Sequence, residues 1–134
     1  MFMKLSETEK KSIVKYRLAR AKDSLLDVHF SIQHSRWNNA ANRLYYACFY
    51  AAIALLINDG YEARTHNGVK SLLGLQYVKN GKMNEDLYQA YRKMFNLRQT
   101  GDYDDLIITT EEDILPLIEP AQNFIQEIEK LINN

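Results

Sequence analysis

Arg98, Asp102 and Tyr103 stand together in the stretch "RQTGDY", residues 98–103. A guanidinium is a planar fork of N–H donors that suits a phosphate or a carboxylate. A neighbouring carboxylate such as Asp102 would orient it by a charge-assisted hydrogen bond and leave other donors for an anion. Gly101 would permit a tight turn returning Asp102 and Tyr103 towards Arg98. The plainer alternative is a helix stop at Gly101. Asp102, Asp104 and Asp105 would then form a solvated turn paired with Arg98 or Arg92, with Tyr103 closing the end of the fold.

A second set of polar residues lies beside apolar ones. Asn39, Arg43, Tyr46 and Tyr50 step by four, three and four, so they share one face of a helix. Arginine and tyrosine together can hold phosphate and stack on bases. The bland reading puts Tyr46 and Tyr50 in the core and pairs Arg43 with a carboxylate. Leu87, Tyr91, Met94 and Arg98 also share a stripe, which aims Arg98 at the Arg43–Tyr46 helix. If these residues form a site, they must converge in one chain or across a dimer. His29, His34 and His66 are dispersed, and no inward Glu-x-x-His pair, Cys-x-x-Cys, Gly-rich phosphate loop or nucleophile elbow occurs. No metal and no cofactor is expected.

These residues are carried by five expected helices, near 7–34, 36–59, 66–79, 84–100 and 111–132. Ser6 and Glu9 have the spacing of a capping box, and Val14, Leu18, Ala21, Leu25, Val28 and Ile32 follow as a stripe. Ser35 is the expected N-cap of the second helix, and Gly60 suits its left-handed end. From Leu44 to Ile57 that helix is apolar on nearly every face. Such a helix is central in a bundle or covered by a partner, so a homodimer through the second and fourth helices is expected. "NG" at 80–81 stops the third helix, and Asn84 caps the fourth. Thr110 and Asp113 open the fifth, where Ile114, Ile118, Ala121, Ile125, Ile128 and Ile132 keep phase through Pro116 and Pro120. Those prolines predict a kink or a helix starting near Pro116. The fold class is all-α, a single-domain five-helix bundle.

Composition agrees. The 134 residues are one domain's worth, with 46% hydrophobic and 25% charged residues. One cysteine, Cys48, lies in an apolar stretch and cannot form an internal disulfide. The N-terminus has no apolar signal core, and the longest uncharged apolar run falls short of the ~20 residues of a membrane span. A cytoplasmic protein without membrane contact is expected. Net charge is zero but uneven: the first hundred residues carry +8 and the rest −8. Either the acidic segment pairs with the basic remainder, or a basic face is left for an anionic partner.

"NRLYYACFYAAIALL" (42–56), "THNGVK" (65–70) and the Arg98-x-x-x-Asp102-Tyr103 pattern, in that order, resemble the HEPN domain superfamily. The likeness is to its short, stand-alone prokaryotic branch and covers about residues 10–130. It implies a five-helix bundle that dimerises through its central helices. It also implies pairing with a minimal nucleotidyltransferase in a toxin–antitoxin or related defence system. Many members are metal-independent RNases whose signature is an arginine, then a polar residue, then a histidine after four to six residues. Carried over, the arginine is Arg98 and the polar residue is Gln99. The histidine position falls on Tyr103, Asp104 or Asp105, and none is histidine. Tyrosine, with a pKa of about 10, and aspartate, with about 3.9, are poorer proton carriers near neutral pH. A nucleotide- or RNA-binding component is therefore the expected function. The alternatives are an active RNase using Arg98 with a substitute acid or base, His66 among the candidates, and an interaction protein without ligand. The resemblance also marks Tyr103 as the tyrosine a nucleotidyltransferase partner would modify.

Overall fold

The computed structural model describes residues 5–103 and 109–134, the side chains of residues 100–103 excepted. Five helices follow one another: α1 (Glu7–Gln33), α2 (Trp37–Asn58), α3 (His66–Leu73), α4 (Glu85–Tyr103) and α5 (Glu111–Asn133). Among the described residues there is no strand.

Helix α1 opens on the expected capping box. The Ser6 hydroxyl accepts from the Glu9 amide at 3.1 Å, and the Glu9 carboxylate accepts from the Ser6 amide at 3.3 Å. Two donors that the first turn leaves without partners are thereby satisfied. Helix α2 starts differently from expectation. Ser35 has φ 55 and lies in the turn, and Arg36 occupies the cap position without a side-chain bond. The backbone reverses at Ser35, and the Arg36 amide bonds back to the Ser31 carbonyl at 2.8 Å. The other end follows the sequence, with Gly60 at φ 83 in the left-handed region.

Helix α2 is the centre of the bundle and packs against α1, α4 and α5. Leu44, Tyr45, Ala47, Cys48, Ala51, Ala52, Ala54 and Leu55 are all fully buried. Its length and composition alone would let it cross a membrane, but much of it is covered by the chain's own helices. Small residues on this helix let its neighbours approach closely. Phe124 of α5 and Tyr91 of α4 stack at 5.2 Å between centroids in the core beside it.

Two local features depart from a plain helix reading. After α3 the chain continues as a π-helical turn, Gly74–Val78, in which the Lys79 amide bonds the Gly74 carbonyl at 2.9 Å. Tyr88 of α4 lies against it, donating to the Lys70 carbonyl at 3.0 Å, and a side chain at Gly74 would meet the Tyr88 hydroxyl. The other departure concerns Gly101. Helix α4 runs through it to Tyr103, so Gly101 makes no turn and Asp102 stands one helical turn beyond Arg98. Glycine costs a helix about 1 kcal/mol relative to alanine without forbidding it. Helix α5 is likewise continuous through Pro116 and Pro120, and the Asp113 carboxylate accepts from the Thr110 amide at 2.9 Å.

Candidate functional site

Arg98 emerges from the last turns of α4 where α2 presents two adjacent tyrosines. It is half-buried. Its Nη2 donates to the Tyr46 hydroxyl at 3.2 Å, and its guanidinium carbon lies 5.3 Å from the Tyr46 ring centre and 5.6 Å from that of Tyr45. A cation held over aromatic faces is stabilised by their negative quadrupole and is less strongly hydrated than a free one. Arg43 flanks the same ring, its guanidinium carbon 5.3 Å from the Tyr46 centre. It is held by the Asn42 side-chain oxygen, which accepts from Nε at 3.0 Å and Nη2 at 2.7 Å, not by a carboxylate.

His66, the first residue of α3, closes the cluster. Thr65 caps that helix, accepting from the Gly68 amide at 2.9 Å, and this fixes where the imidazole stands. The ring stacks on Phe49 at 4.3 Å, and Nδ1 is 2.8 Å from the Tyr45 hydroxyl. Burial and then the Arg98 charge lower the His66 pKa below the ordinary 6.5, so the imidazole is neutral at pH 7. Burial pushes the Tyr45 hydroxyl up to about 12. The direction of the Tyr45–His66 bond sets the tautomer. If Nδ1–H donates to Tyr45, Nε2 is left as a base.

The expected titration follows. The His66 ring protons should report a pKa below 6.5 by NMR, and Arg98→Ala should raise it by removing a neighbouring positive charge. A folded-state pKa below the unfolded one means that the native state binds this proton more weakly. His66 therefore contributes stability that is fully present above about pH 6.5 and lost as the pH falls through the window below it. A His66 pKa above 6.5 would contradict the geometry.

The structure thus brings Arg98, Arg43, Tyr46 and His66 into one cluster. Gln99 is exposed on α4 outside it. The Asp102 and Tyr103 side chains, with all of Asp104 and Asp105, lie outside the described residues. The turn at Gly101 that was to return Asp102 and Tyr103 is replaced by helix. Two members of the cluster carry no sequence expectation: Tyr45, which joins His66 to the Arg98 surface, and Arg20 of α1, which donates to the Tyr50 hydroxyl at 3.2 Å. Tyr45 directly precedes Tyr46 in sequence, and that adjacency is its only local signal.

A model of the HEPN domain matches residues 14–131, and the chain belongs to the HEPN domain family. It is 39% identical over 126 residues to a UPF0332 protein of Thermotoga maritima, covering 94% of this chain and 96% of that one. Two proteins described as candidate toxins of Methanocaldococcus jannaschii are 25% identical over 132 residues and 30% identical over 112 residues. The first alignment covers 98% of this chain and 90% of the relative, the second 84% and 83%. The crystal structure of a Thermus thermophilus protein superposes with a TM-score of 0.76 at 18% identity. It covers 88% of this chain and 97% of its own, a likeness of fold.

Proposed function

We propose that this chain is the RNA- or nucleotide-binding component of a toxin–antitoxin-type pair, acting in the cytoplasm, with Arg98 and its tyrosine platform as the contact surface. The observation that carries this is Arg98 held half-buried on Tyr46, beside Arg43 and a neutral His66. An arginine fork recognises phosphate, and the half-buried Tyr46 ring beside it offers a face on which any base can stack. The toxin names of the Methanocaldococcus relatives support the biological setting. The partner in this reading is a minimal nucleotidyltransferase, with Tyr103 the residue it would modify. We also propose a homodimer contact involving α2 and α4, in which the two copies flank a cleft and leave the Arg43–Tyr46–Tyr50 side of α2 open along it.

The test is direct. Purified protein should bind single-stranded RNA with an affinity that falls steeply with salt and should leave the RNA whole. No binding at low salt would overturn the proposal.

One observation favours a second reading. A neutral imidazole beside Arg98 is what a metal-independent RNase needs as a proton acceptor. In that reading His66 is the base and Arg98 stabilises the phosphorane charge. RNA cleaved in the presence of a chelator, and spared by both Arg98→Ala and His66→Gln, would establish it over the binding role.

A further inference from the structure

Arg98 on Tyr46 is not the only arginine seated on a tyrosine of α2. One turn further on, Arg20 of α1 donates to the Tyr50 hydroxyl at 3.2 Å, with its guanidinium carbon 5.1 Å from that ring centre. The two tyrosine rings are neighbours, 5.7 Å apart at 42°. Arg43, Tyr46, Tyr50, Ile53 and Ile57 step by three, four, three and four, so they form one straight stripe on α2. All five are half-buried. From Tyr46 to Ile57 the stripe rises about 16 Å, at 1.5 Å per residue.

The stripe ends in a cleft of about 330 Å³ between α1, α2 and the segment 61–64. Ile53 and Ile57 line its floor, with Arg17, Tyr61 and Arg64 around it. Among the described residues Glu62 is the one carboxylate on its wall. The Nε of Arg17 is buried without a hydrogen-bond partner. Among the described residues Arg17, Arg20 and Arg43 form no ion pair, although the chain as a whole is neutral. Asp23 lies near enough to Arg20 to act on its charge without pairing with it. Cations in excess of carboxylates along an aromatic stripe mark a surface for an anion with flat groups, and a single-stranded polynucleotide has both properties. An acidic protein segment would use the charges but not the rings.

We propose that the Arg98 cluster is the first position of a longer track for single-stranded RNA, with a second base position at Tyr50 under Arg20 and its far end in the Arg17–Arg64 cleft. The proposal rests on the reading of the Arg98 surface given above and adds to it a direction and a length. The strand runs along α2, from its N-terminal half towards its C-terminal end, and α1 forms one wall. Stacking on tyrosine tolerates any base, so the track reads backbone and rings, not sequence.

Fluorescence anisotropy with labelled oligouridines separates the two ideas. The dinucleotide should engage only the Arg98 position, and the octanucleotide the whole track. Arg20 is exposed, so Arg20→Ala should leave the fold unchanged. It should weaken octanucleotide binding by about tenfold, lower the slope of log affinity against log salt by about 0.7, and leave the dinucleotide unaffected. Arg17→Ala should act in the same sense. If both variants bind the octanucleotide as wild type does while Arg98→Ala does not, the track is wrong and the Arg98 surface stands. If wild type binds neither oligomer, the Arg98 reading fails and the track fails with it. If polyglutamate displaces the octanucleotide and loses its own affinity in Arg20→Ala, the occupant is an acidic protein segment and not RNA.

Discussion

Replacing Arg98 with alanine should lower affinity for single-stranded RNA by about 10- to 150-fold. The range follows from about 1.5–3 kcal/mol for hydrogen bonds to a charged group, at 1.4 kcal/mol per factor of ten. The side chain meets α2 through one hydrogen bond, to Tyr46, and through two tyrosine faces. Losing it removes a phosphate fork and uncovers two rings. The loss should be mainly in binding, because Arg98 is half-buried at the bundle's edge and the helix beneath it is held by Tyr91 and Met94. Arg98→Lys keeps the charge but not the planar fork, so it should recover only part of the affinity. Equal affinity in wild type and Arg98→Ala would remove this surface from the account.

Phe124→Ala should destabilise the fold by about 3–5 kcal/mol, the usual cost of emptying a buried aromatic site. Phe124 is fully buried and stacks on Tyr91 at 5.2 Å, with 21° between the rings. Both lie in the cluster that packs around α2, so no solvent-facing element can collapse cheaply into the void. Against a total stability of about 5–15 kcal/mol, the loss should lower Tm by roughly 10 °C or more. The contrasting change is Tyr91→Phe. The Tyr91 hydroxyl is buried beside the Tyr45 hydroxyl and close enough to couple with it, but no partner meets it in well-aligned hydrogen-bond geometry. Removing an unsatisfied buried hydroxyl avoids its desolvation penalty, so this variant should be neutral or more stable by about 1 kcal/mol. Denaturant unfolding of the two variants checks both. A Phe124→Ala loss below about 1 kcal/mol would mean that the core is not packed as described.

The helices were legible because their signals are local. Ser6 and Glu9 lie three residues apart, and the capping box they announce is present. Gly60 stands in the left-handed region that its position after the apolar run implies. Ser35 misled because serine caps helices and enters tight turns for the same reason, a short side chain that competes for backbone bonds. Gly101 misled because glycine's conformational freedom permits a turn without requiring one. The π-helical turn at Gly74–Val78 has no sequence period of its own, and Tyr88 of another helix lies against its first residue, Gly74.

The cluster was legible by halves. Periodicity placed Arg43, Tyr46 and Tyr50 on one face of α2 and aimed Arg98 towards that helix. Where His66 and Arg20 would meet them depends on how helices cross. Twenty-one residues separate Tyr45 from His66, and thirty separate Arg20 from Tyr50. No local pattern encodes those crossings. The Arg20–Tyr50 crossing follows from the small residues of α2, which let α1 pack closely along its length, and the Tyr45–His66 one from where the Thr65 cap starts α3.

Histidine NMR would locate bound RNA on the protein residue by residue. The chain has three histidines, and His29 and His34 are exposed on or just beyond α1 while His66 stacks on Phe49 beside Arg98. Titrating an oligouridine into the protein at low salt should shift the His66 ring resonances in proportion to occupancy and leave those of His29 and His34 in place. A saturating RNA that leaves His66 unmoved would contradict the account, because it would place the ligand somewhere other than the Arg98–Tyr46–His66 surface.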